Sequence, residues 1–458
     1  MAIKTLHLTN AYHPTSGGIR TFYRALLAQA NEERRLCRLV VPGAVDGVEE
    51  VGAFARIYSV KARSSPVFDS RYRVLLPGSY LVRDGRLRKI LEDEQPDLIE
   101  ICDKYSLFYL AALLRKEWLP RMKRPTLVGL SCERMDDNVS AYLSTSRLGR
   151  VLSRAYIRHM YGPPFDAHVA NSEYTAGELR RNLWDRSPDF IHVCPMGVDV
   201  RAFGPVHRDR QFRRRLLVQA GGTADSVMLL YAGRLSPEKN LGLLVDMLEQ
   251  LQRPTEDGGV ARDYRLVLAG DGPETEALLR DASHRARHRV LWVGAIRDRA
   301  ELAKYYASAD VFVHPNPREP FGIGPLEAMA SRVPVVVPSA GGVLSYANPT
   351  NAWLAEPVGA SFAHAVRSAV LRPSEARLAA AYETARQLDW SRVASRFFKL
   401  YEDLHRRRSA ASSAAAIPQP LRLEGQAPPD FALSTTLSNR IVTGLGQSTP
   451  ESHEPTTD

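Results

Sequence analysis

Short apolar runs rich in β-branched residues alternate with helical patterns along the first half of the chain. The predicted strands cover residues 3–8, 37–41, 56–60, 98–102, 126–130, 168–170 and 191–194. Helical periodicity follows several of them, at residues 20–31, 81–94 and 105–118. Continuous apolar strands separated by helices are typical of a parallel sheet that is covered on both faces.

The second half repeats this pattern more clearly. Five predicted strands cover residues 226–233, 264–270, 288–294, 309–315 and 333–338, and helices begin near Asn240, Pro273, Arg299 and Pro325. The predicted fold class is therefore α/β, with two doubly wound, Rossmann-like domains. Because ligands of such sheets bind beyond the carboxyl ends of the strands, we expect the site in the cleft between the two domains.

The predicted division gives a first domain at residues 1–205 and a second at residues 206–388. The boundary falls in the charged stretch of residues 200–215. A helix is expected at residues 389–408. Residues 409–458 are rich in Ala, Ser, Pro and Thr with little periodicity, which predicts a disordered tail.

Composition and charge narrow the classes of function. The chain has 458 residues, with 61 Lys and Arg against 51 Asp and Glu. No run approaches the ~20 apolar residues of a membrane span, no signal-like segment is visible, and the four cysteines form no CxxC pair, so we expect a cytoplasmic protein. The basic body suits an anionic lipid or a phosphorylated small molecule, and no nucleic-acid-binding signature is present.

The most informative segment is HPNPREPFGIGPLEAMASRVPVVV, at residues 314–337. A strand is predicted to end at Pro315 and a helix to begin near Pro325, so loop amides and a helix N-terminus favour an anion such as a diphosphate. Glu319 lies in the loop and Glu327 in the helix, and a carboxylate accepts paired hydrogen bonds from vicinal sugar hydroxyls. Either glutamate alone would equally suit an exposed surface position.

Several motifs occur together in a characteristic order. EPFGIGPLEAMA, at residues 319–330, resembles the E-x7-E signature of retaining GT-B glycosyltransferases, the "glycosyl transferases group 1" family. Gly17–Gly18, ANSEYT at 170–175, PMGVD at 195–199 and YAGRLSPEKN at 231–240 resemble further family motifs. The resemblance covers roughly residues 1–405 and implies the GT-B architecture of two Rossmann-like domains facing across a cleft.

The resemblance assigns the charge-bearing roles to three residues. Arg234 and Lys239 would hold the diphosphate of a nucleotide-sugar donor, and with Glu319 they would form the catalytic group. Gly17 and Gly18 would let the backbone approach the diphosphate closely.

The same resemblance implies the remaining donor contacts. Glu327 would bind the ribose and Glu319 the transferred sugar. The amides of Phe321, Gly322 and Ile323 would bracket sugar and phosphate, and Gly294 would border the base. The family reaction retains the anomeric configuration and needs no structural metal, and we expect no cofactor besides the donor.

The chain departs from the family pattern at one strand end. Where the family usually has a histidine that touches the donor sugar, this chain reads TLVGLSCERMDD, with Ser131 or Cys132 at that point. A serine hydroxyl can hydrogen-bond a sugar but cannot supply the same charge. We therefore expect Ser131 as a possible sugar contact, with the role of the histidine met elsewhere.

The predicted function is transfer of a hexose, mannose or glucose, from GDP-mannose or UDP-glucose. The acceptor is an unidentified glycan, lipid-linked or small molecule. Two alternatives remain open: a nucleotide-sugar epimerase on the same architecture, and a non-catalytic nucleotide-sugar-binding protein, which the missing histidine motivates.

A basic segment at residues 146–161, SRLGRVLSRAYIRHMY, spaces four arginines by three, four and four residues. Arg147, Arg150, Arg154 and Arg158 would then share one helical face. Such a face is commonly a solvated surface, but it also suits peripheral contact with an anionic membrane, at the inner membrane face.

Overall fold

The computed structural model describes residues 2–13, 17–65, 73–142, 147–254, 262–286 and 288–416. Residues up to Ala411 form one compact unit. Among the described helices, none combines the length and apolar character that a membrane span requires.

The first half is built on an eight-stranded sheet. Its strands are β1 (Thr5–Thr9), β2 (Cys37–Gly43), β3 (Gly47–Glu50), β4 (Ala55–Lys61), β7 (Leu98–Cys102), β8 (Thr126–Ser131), β9 (Ala167–Ala170) and β10 (Ile191–Val193); β5 (Arg63–Ser64) and β6 (Arg73–Val74) form a separate hairpin pair. The strand order is β10-β9-β8-β7-β1-β2-β4-β3. Every pairing is parallel except that of β3 with β4.

Helices cover this sheet. They are α1 (Gly18–Glu32), α2 (Gly78–Leu81), α3 (Arg86–Glu94), α4 (Phe108–Arg115), α5 (Met135–Tyr142), α6 (Arg147–Tyr156), which continues as a π-helical turn (Ile157–Tyr161), and α7 (Glu173–Asn182). The helix predicted at residues 81–94 is broken at Val82, whose backbone is extended, and α3 restarts after Gly85.

The second half has a six-stranded, fully parallel sheet in the order β13-β12-β11-β14-β15-β16. Its elements are α8 (Arg210–Gln219), β11 (Val227–Ala232), α9 (Gly242–Leu251), β12 (Tyr264–Ala269), α10 (Thr275–Arg285), β13 (Val290–Gly294), α11 (Arg299–Ser308), β14 (Val311–Val313), α12 (Ile323–Ala330), β15 (Val335–Pro338), β16 (Trp353–Ala355), α13 (Gly359–Leu371) and α14 (Glu375–Gln387). The five strands predicted from the sequence are all present, and β16 is an additional, three-residue strand. The predicted α/β class with two Rossmann-like halves is confirmed.

The chain passes between the two halves twice, and the two passages are hydrogen-bonded to each other. The amide of Val198 donates to the carbonyl of Leu388 at 2.9 Å, and the amide of Trp390 donates to the carbonyl of Val198 at 3.0 Å. The second passage leads into α15 (Trp390–Ala416). This helix returns to the first sheet, where His405 Nδ1 lies 3.0 Å from the Thr126 hydroxyl.

The last helix is longer than predicted. It continues to Ala416, eight residues beyond the expected end at residue 408. The segment SAASSAAA at 409–416 is half alanine or more, and alanine has the highest intrinsic helix propensity. The rest of the predicted tail lies outside the described residues.

Candidate active site

Two glycines allow the loops after β11 and β12, two neighbouring strands of the second sheet, to approach each other closely. A side chain on Gly270, whose φ is +153°, would collide with the carbonyl of Gly233, and one on Gly272 would collide with the carbonyl of Leu235. The loops that follow β11 and β12 therefore pack directly against each other. Arg234, which follows Gly233, is half-buried at this edge, and its carbonyl accepts a hydrogen bond from the Tyr231 hydroxyl at 3.0 Å.

Lys239 and Glu319, which the sequence separates by eighty positions, form an ion pair at the same edge. The ammonium of Lys239 lies 2.8 Å from Oε2 of Glu319. Lys239 belongs to a short 3-10 turn (Pro237–Lys239) after β11, and Glu319 lies in the loop between β14 and α12. The structure therefore brings together two of the three predicted catalytic residues.

The pair has strong mutual electrostatic effects. Burial alone would raise the pKa of Glu319, but the Lys239 ammonium lowers it to about 2. Burial alone would lower the pKa of Lys239, but the Glu319 carboxylate raises it overall. Both groups are therefore charged at neutral pH, and Arg234 adds a second positive charge near Lys239.

The loop that carries Glu319 is held in place by the segment after β15. The amide of Gly342 donates to the carbonyl of Glu319 at 2.7 Å. A side chain on Gly342 would collide with the carbonyl of Pro320, so only glycine permits this approach. The Tyr346 hydroxyl donates to the carbonyl of Gly322.

Gly322 precedes α12 in the left-handed region, with a φ of +84°, so the loop turns sharply into the helix. The first amides of a helix have no acceptor within the helix, and here the residue before them, Gly322, lies against the side chain of Glu319. Phe321 is buried and packs on Tyr346, with ring centroids 5.1 Å apart. Its side chain belongs to the core, so only its backbone can contact a ligand.

Glu327 lies one turn into α12 in different surroundings. Its carboxyl group is hydrogen-bonded by the Tyr306 hydroxyl, and Arg299 and Asp199 lie near enough to act on its charge. Burial raises the pKa of Glu327 to about 7, although Tyr306 and Arg299 act in the opposite direction. Gly294, which ends β13 with a φ of +76°, faces open space.

The first half contributes its glycine loop to the same place. A side-chain atom on Gly18 would lie 3.6 Å from Cδ1 of Ile323, the first residue of α12. Gly17 has open space around it. The predicted glycine loop therefore faces the start of α12, while residues 14–16 lie outside the described residues.

A second contact between the halves lies beside it. Ser172 caps α7, and its hydroxyl donates to the carbonyl of Pro320 at 2.5 Å. Asp137 of α5 is close enough to Arg318 for the arginine to lower its pKa, although burial raises that pKa overall. Arg318 and Pro320 of this loop therefore lie near the first half.

Ser131 is not placed as a sugar contact would require. The residue is fully buried, and its hydroxyl donates to the carbonyl of Glu133 at 3.2 Å. It therefore offers no exposed surface to a sugar in this structure. The side chains of Cys132 and Glu133 retain partial exposure at the same strand end.

Two site residues were not predicted, His314 and Asn316. Both are buried, and the Asn316 amide donates to Oε2 of Glu319 at 3.2 Å. Their position at the carboxyl end of β14, in the sequence just before Glu319, is the signal that could have identified them.

Two family models match the chain. "Glycosyl transferases group 1" matches residues 215–387, and "Glycosyltransferase Family 4" matches residues 16–202. Together they cover both halves and leave residues 203–214 between the two matches. Both halves of the chain are thus those of a glycosyltransferase.

Individual relatives of this glycosyltransferase agree. A GDP-mannose-dependent alpha-(1-6)-phosphatidylinositol dimannoside mannosyltransferase of Mycobacterium tuberculosis is 29% identical over 393 residues, covering 86% of this chain and 94% of the relative. A GDP-mannose-dependent alpha-mannosyltransferase of the same species is 34% identical over 227 residues, covering 49% and 54%. Sucrose-phosphate synthase of Thermosynechococcus elongatus has a TM-score of 0.67 at 20% identity, covering 89% of this chain and 100% of that chain, which shows the GT-B fold.

The predicted recognition and fold are therefore confirmed, and the protein is a GT-B glycosyltransferase. Nothing in the comparisons favours an epimerase. Within the described part of the chain, no group of three or more His, Cys, Asp and Glu side chains is arranged to hold a metal ion.

Proposed function

We propose that this glycosyltransferase is a retaining mannosyltransferase that uses GDP-mannose. The observation that carries the proposal is the Lys239–Glu319 pair, 2.8 Å apart, at the N-terminus of α12. A cation and helix amides suit the diphosphate of a donor, and an adjacent carboxylate suits the hydroxyls of its sugar. The donor is inferred from the two GDP-mannose-dependent relatives.

We assign the donor contacts to the residues at this edge of the second sheet and to the glycine loop of the first half. Arg234 and Lys239 bind the diphosphate, together with the first amides of α12 and the backbone at Gly17–Gly18. Glu327 accepts hydrogen bonds from the ribose. All hydrogen bonds of the Glu319 carboxylate among the described residues go to Oε2, so Oε1 is available to the mannose hydroxyls.

In the reaction, an acceptor oxygen forms a bond to the anomeric carbon as the bond from that carbon to the diphosphate breaks. Attack on the face from which the diphosphate departs retains the configuration. The departing phosphate oxygen takes the acceptor proton, and GDP leaves. Arg234 and Lys239 stabilise the charge that develops on the diphosphate, and no metal ion is required for this in our proposal.

The acceptor is an anionic glycolipid, and the protein reaches it from the cytoplasmic side of a membrane. The relative that matches most of this chain acts on a phosphatidylinositol dimannoside, as its name states. On the first half, Val151 and Leu152 of α6 are 58% and 59% exposed, and Trp184 is 72% exposed. Arg154, also exposed, lies on the same helix. Exposed apolar and aromatic side chains beside basic ones are typical of peripheral binding to lipid.

The test is turnover of GDP-mannose and UDP-glucose by the full chain, with mannosylated inositol lipid as acceptor. We expect mannose transfer, an α-linked product by NMR, and no loss of rate in EDTA. Lys239→Ala should lower kcat/KM by roughly 10²–10³-fold, as the loss of a preorganised charge does. Lys304→Ala, at an exposed lysine of α11, is the matched control and should have no effect.

Each alternative gives a different result. Preferred turnover of UDP-glucose would overturn the donor, a product with inverted configuration would overturn retention, and loss of rate in EDTA would overturn metal independence. Epimerised donor would favour the epimerase, and no turnover of any donor would favour a non-catalytic binding protein.

A further inference from the structure

His314 is a buried histidine inside the active site with no assigned role. It follows β14 directly and is 6% exposed. Its Nε2 atom lies 3.5 Å from Oε2 of Glu319. Among the described residues, this nitrogen has no hydrogen-bond partner that meets normal geometry.

One carboxylate oxygen therefore has three nitrogen neighbours. Oε2 of Glu319 receives hydrogen bonds from Lys239 at 2.8 Å and from Asn316 at 3.2 Å, and His314 is the third neighbour. Lys239 and Asn316 already donate hydrogen bonds to this oxygen. The imidazole nitrogen lies slightly farther from it, at 3.5 Å, and donates none.

Binding of a nucleotide sugar would offer the Lys239 ammonium a second anionic partner, the diphosphate. If its ammonium turns toward a diphosphate, Glu319 loses the cation that compensates its burial. An uncompensated buried carboxylate is strongly unfavourable, and its orientation toward the sugar would no longer be fixed. A nearby group with a free N–H would prevent both effects.

We propose that His314 is a positioning residue that donates its Nε2–H to Glu319 and holds this carboxylate while Lys239 turns to the donor diphosphate. The inference rests on the proposed function, because it requires Lys239 to bind a diphosphate.

The electrostatics of the site favour a neutral His314 imidazole as the hydrogen-bond donor. Burial lowers the pKa of His314 to about 4, with Lys239 acting in the same direction and Glu319 in the opposite one. A neutral imidazole keeps one N–H and adds no positive charge that would compete with Lys239 for the diphosphate.

The first experiment compares three substitutions by steady-state kinetics. Gln places an amide nitrogen near the position of histidine Nε2, Asn places it near Nδ1, and Leu supplies none. We expect His314→Gln to keep most of kcat, and His314→Asn and His314→Leu to lower kcat on the order of 10²-fold with little change in KM for GDP-mannose, since misplacing a catalytic group has effects of this size. A Gln variant as impaired as the Asn variant would overturn the inference.

The second experiment needs no turnover, so its outcome is independent of the proposed donor. Urea unfolding is measured for wild type, His314→Leu, Lys239→Ala and the double variant. We expect His314→Leu to destabilise the protein more when Lys239 is absent, because His314 is then a principal partner of Glu319. Strictly additive effects would mean that His314 does not support Glu319. A wild type inactive with GDP-mannose, combined with clear coupling here, would instead count against the proposed donor only.

Discussion

Glu319 and Glu327 lie eight residues apart in the chain, and their carboxyl groups have opposite pKa shifts. Lys239 lowers the pKa of Glu319 to about 2 against the effect of burial, whereas burial raises that of Glu327 to about 7. The first is a permanent carboxylate paired with the Lys239 ammonium. The second changes its charge in the physiological range. Their different surroundings support the separate roles that the motif implied.

This difference predicts separate effects on nucleotide binding. Glu327→Ala should weaken the binding of free GDP, because the ribose loses its acceptor. Glu319→Ala should spare it, because the substitution removes a competitor for the Lys239 ammonium. Calorimetric titration of GDP into both variants checks this, with Glu301→Ala at an exposed position of α11 as control. Equal losses in the two variants would contradict the division.

The raised pKa of Glu327 predicts a pH dependence. The ionised carboxyl group offers two acceptor oxygens to the ribose hydroxyls, whereas in the protonated group one oxygen carries a hydrogen and becomes a donor, so GDP affinity should fall as the pH falls below about 7. Calorimetric titrations of GDP at pH values from about 5.5 to about 8.5 test this. Glu327→Gln should bind GDP more weakly and with a flatter profile.

Stability should show the opposite trend. The folded protein holds the proton of Glu327 more tightly than the unfolded chain, because its pKa is raised on folding. Ionisation therefore costs stability as the pH rises through about 7. Glu327→Gln should have a higher Tm than wild type at alkaline pH, and this difference should vanish in acid. A constant difference at all pH values would show that Glu327 is not the titrating group.

At the scale of elements, the basic segment is only partly the surface that its spacing predicted. Arg154 is exposed, but Arg158 is half-buried, lies 4.8 Å from the ring of Trp184 and pairs with Asp185 at 3.6 Å. The side chains of Arg147 and Arg150 lie outside what the structure describes. Arg158 therefore packs against Trp184 and is not part of a solvated row of four arginines.

This arrangement changes the expected membrane experiment. Co-sedimentation with phosphatidylglycerol vesicles should be strong at low salt and weak at high salt, because exposed charges are screened. Replacing Arg147, Arg150 and Arg154 by Gln should reduce it, and so should Val151→Ser with Leu152→Ser. Replacing Arg253, Arg280 and Arg386 by Gln, at three exposed sites of the second half, is the matched control. Equal sedimentation of all variants would leave α6 as an ordinary solvated helix.

The order of strands and helices was predictable because each buried parallel strand is a continuous apolar run that can be recognised in the sequence. The strands at 37–41 and 98–102 were predicted nearly to the residue. β3 was missed because it is an edge strand with mostly exposed residues, and β16 because three residues carry too little pattern. The extension of α15 was missed because its composition resembled a disordered tail.

The site was predictable where a motif carried it and not where tertiary packing decided it. Glu319 and Lys239 were identified from their motifs, and the structure adds that they form an ion pair. The burial of Ser131 depends on how the loop after β8 folds, because the Ser131 hydroxyl donates to the carbonyl of Glu133 in that loop, and no local sequence pattern predicts this contact. His314 and Asn316 become site residues only because Gly342 fixes the loop that brings Glu319 toward them.

For the whole molecule, the returning helix α15 joins the segment that follows the second half to the first sheet. The Tyr401 hydroxyl donates to Glu100, a fully buried carboxylate on β7. Tyr23 of α1 donates to the other oxygen at 2.6 Å, and His7 of β1 lies 3.1 Å from the first. The first half therefore depends on a segment that follows the second half, so the first half is not continuous in sequence.

This arrangement predicts where the chain can be shortened. A chain ending at Arg408 should keep wild-type Tm and activity, because it retains Tyr401 and His405 and the 2.9 Å bond from Arg408 to the carbonyl of Arg124. A chain ending at Gln387 should lose cooperative unfolding, because it exposes the core under α15. Tyr401→Phe lies between these: it removes a donor to a buried charge, worth about 1.5–3 kcal/mol of unfolding free energy. Tyr109→Phe, at a tyrosine that is 41% exposed, is the control and should change little. A large fall in Tm for the chain ending at Arg408 would show that residues beyond it contribute to the fold.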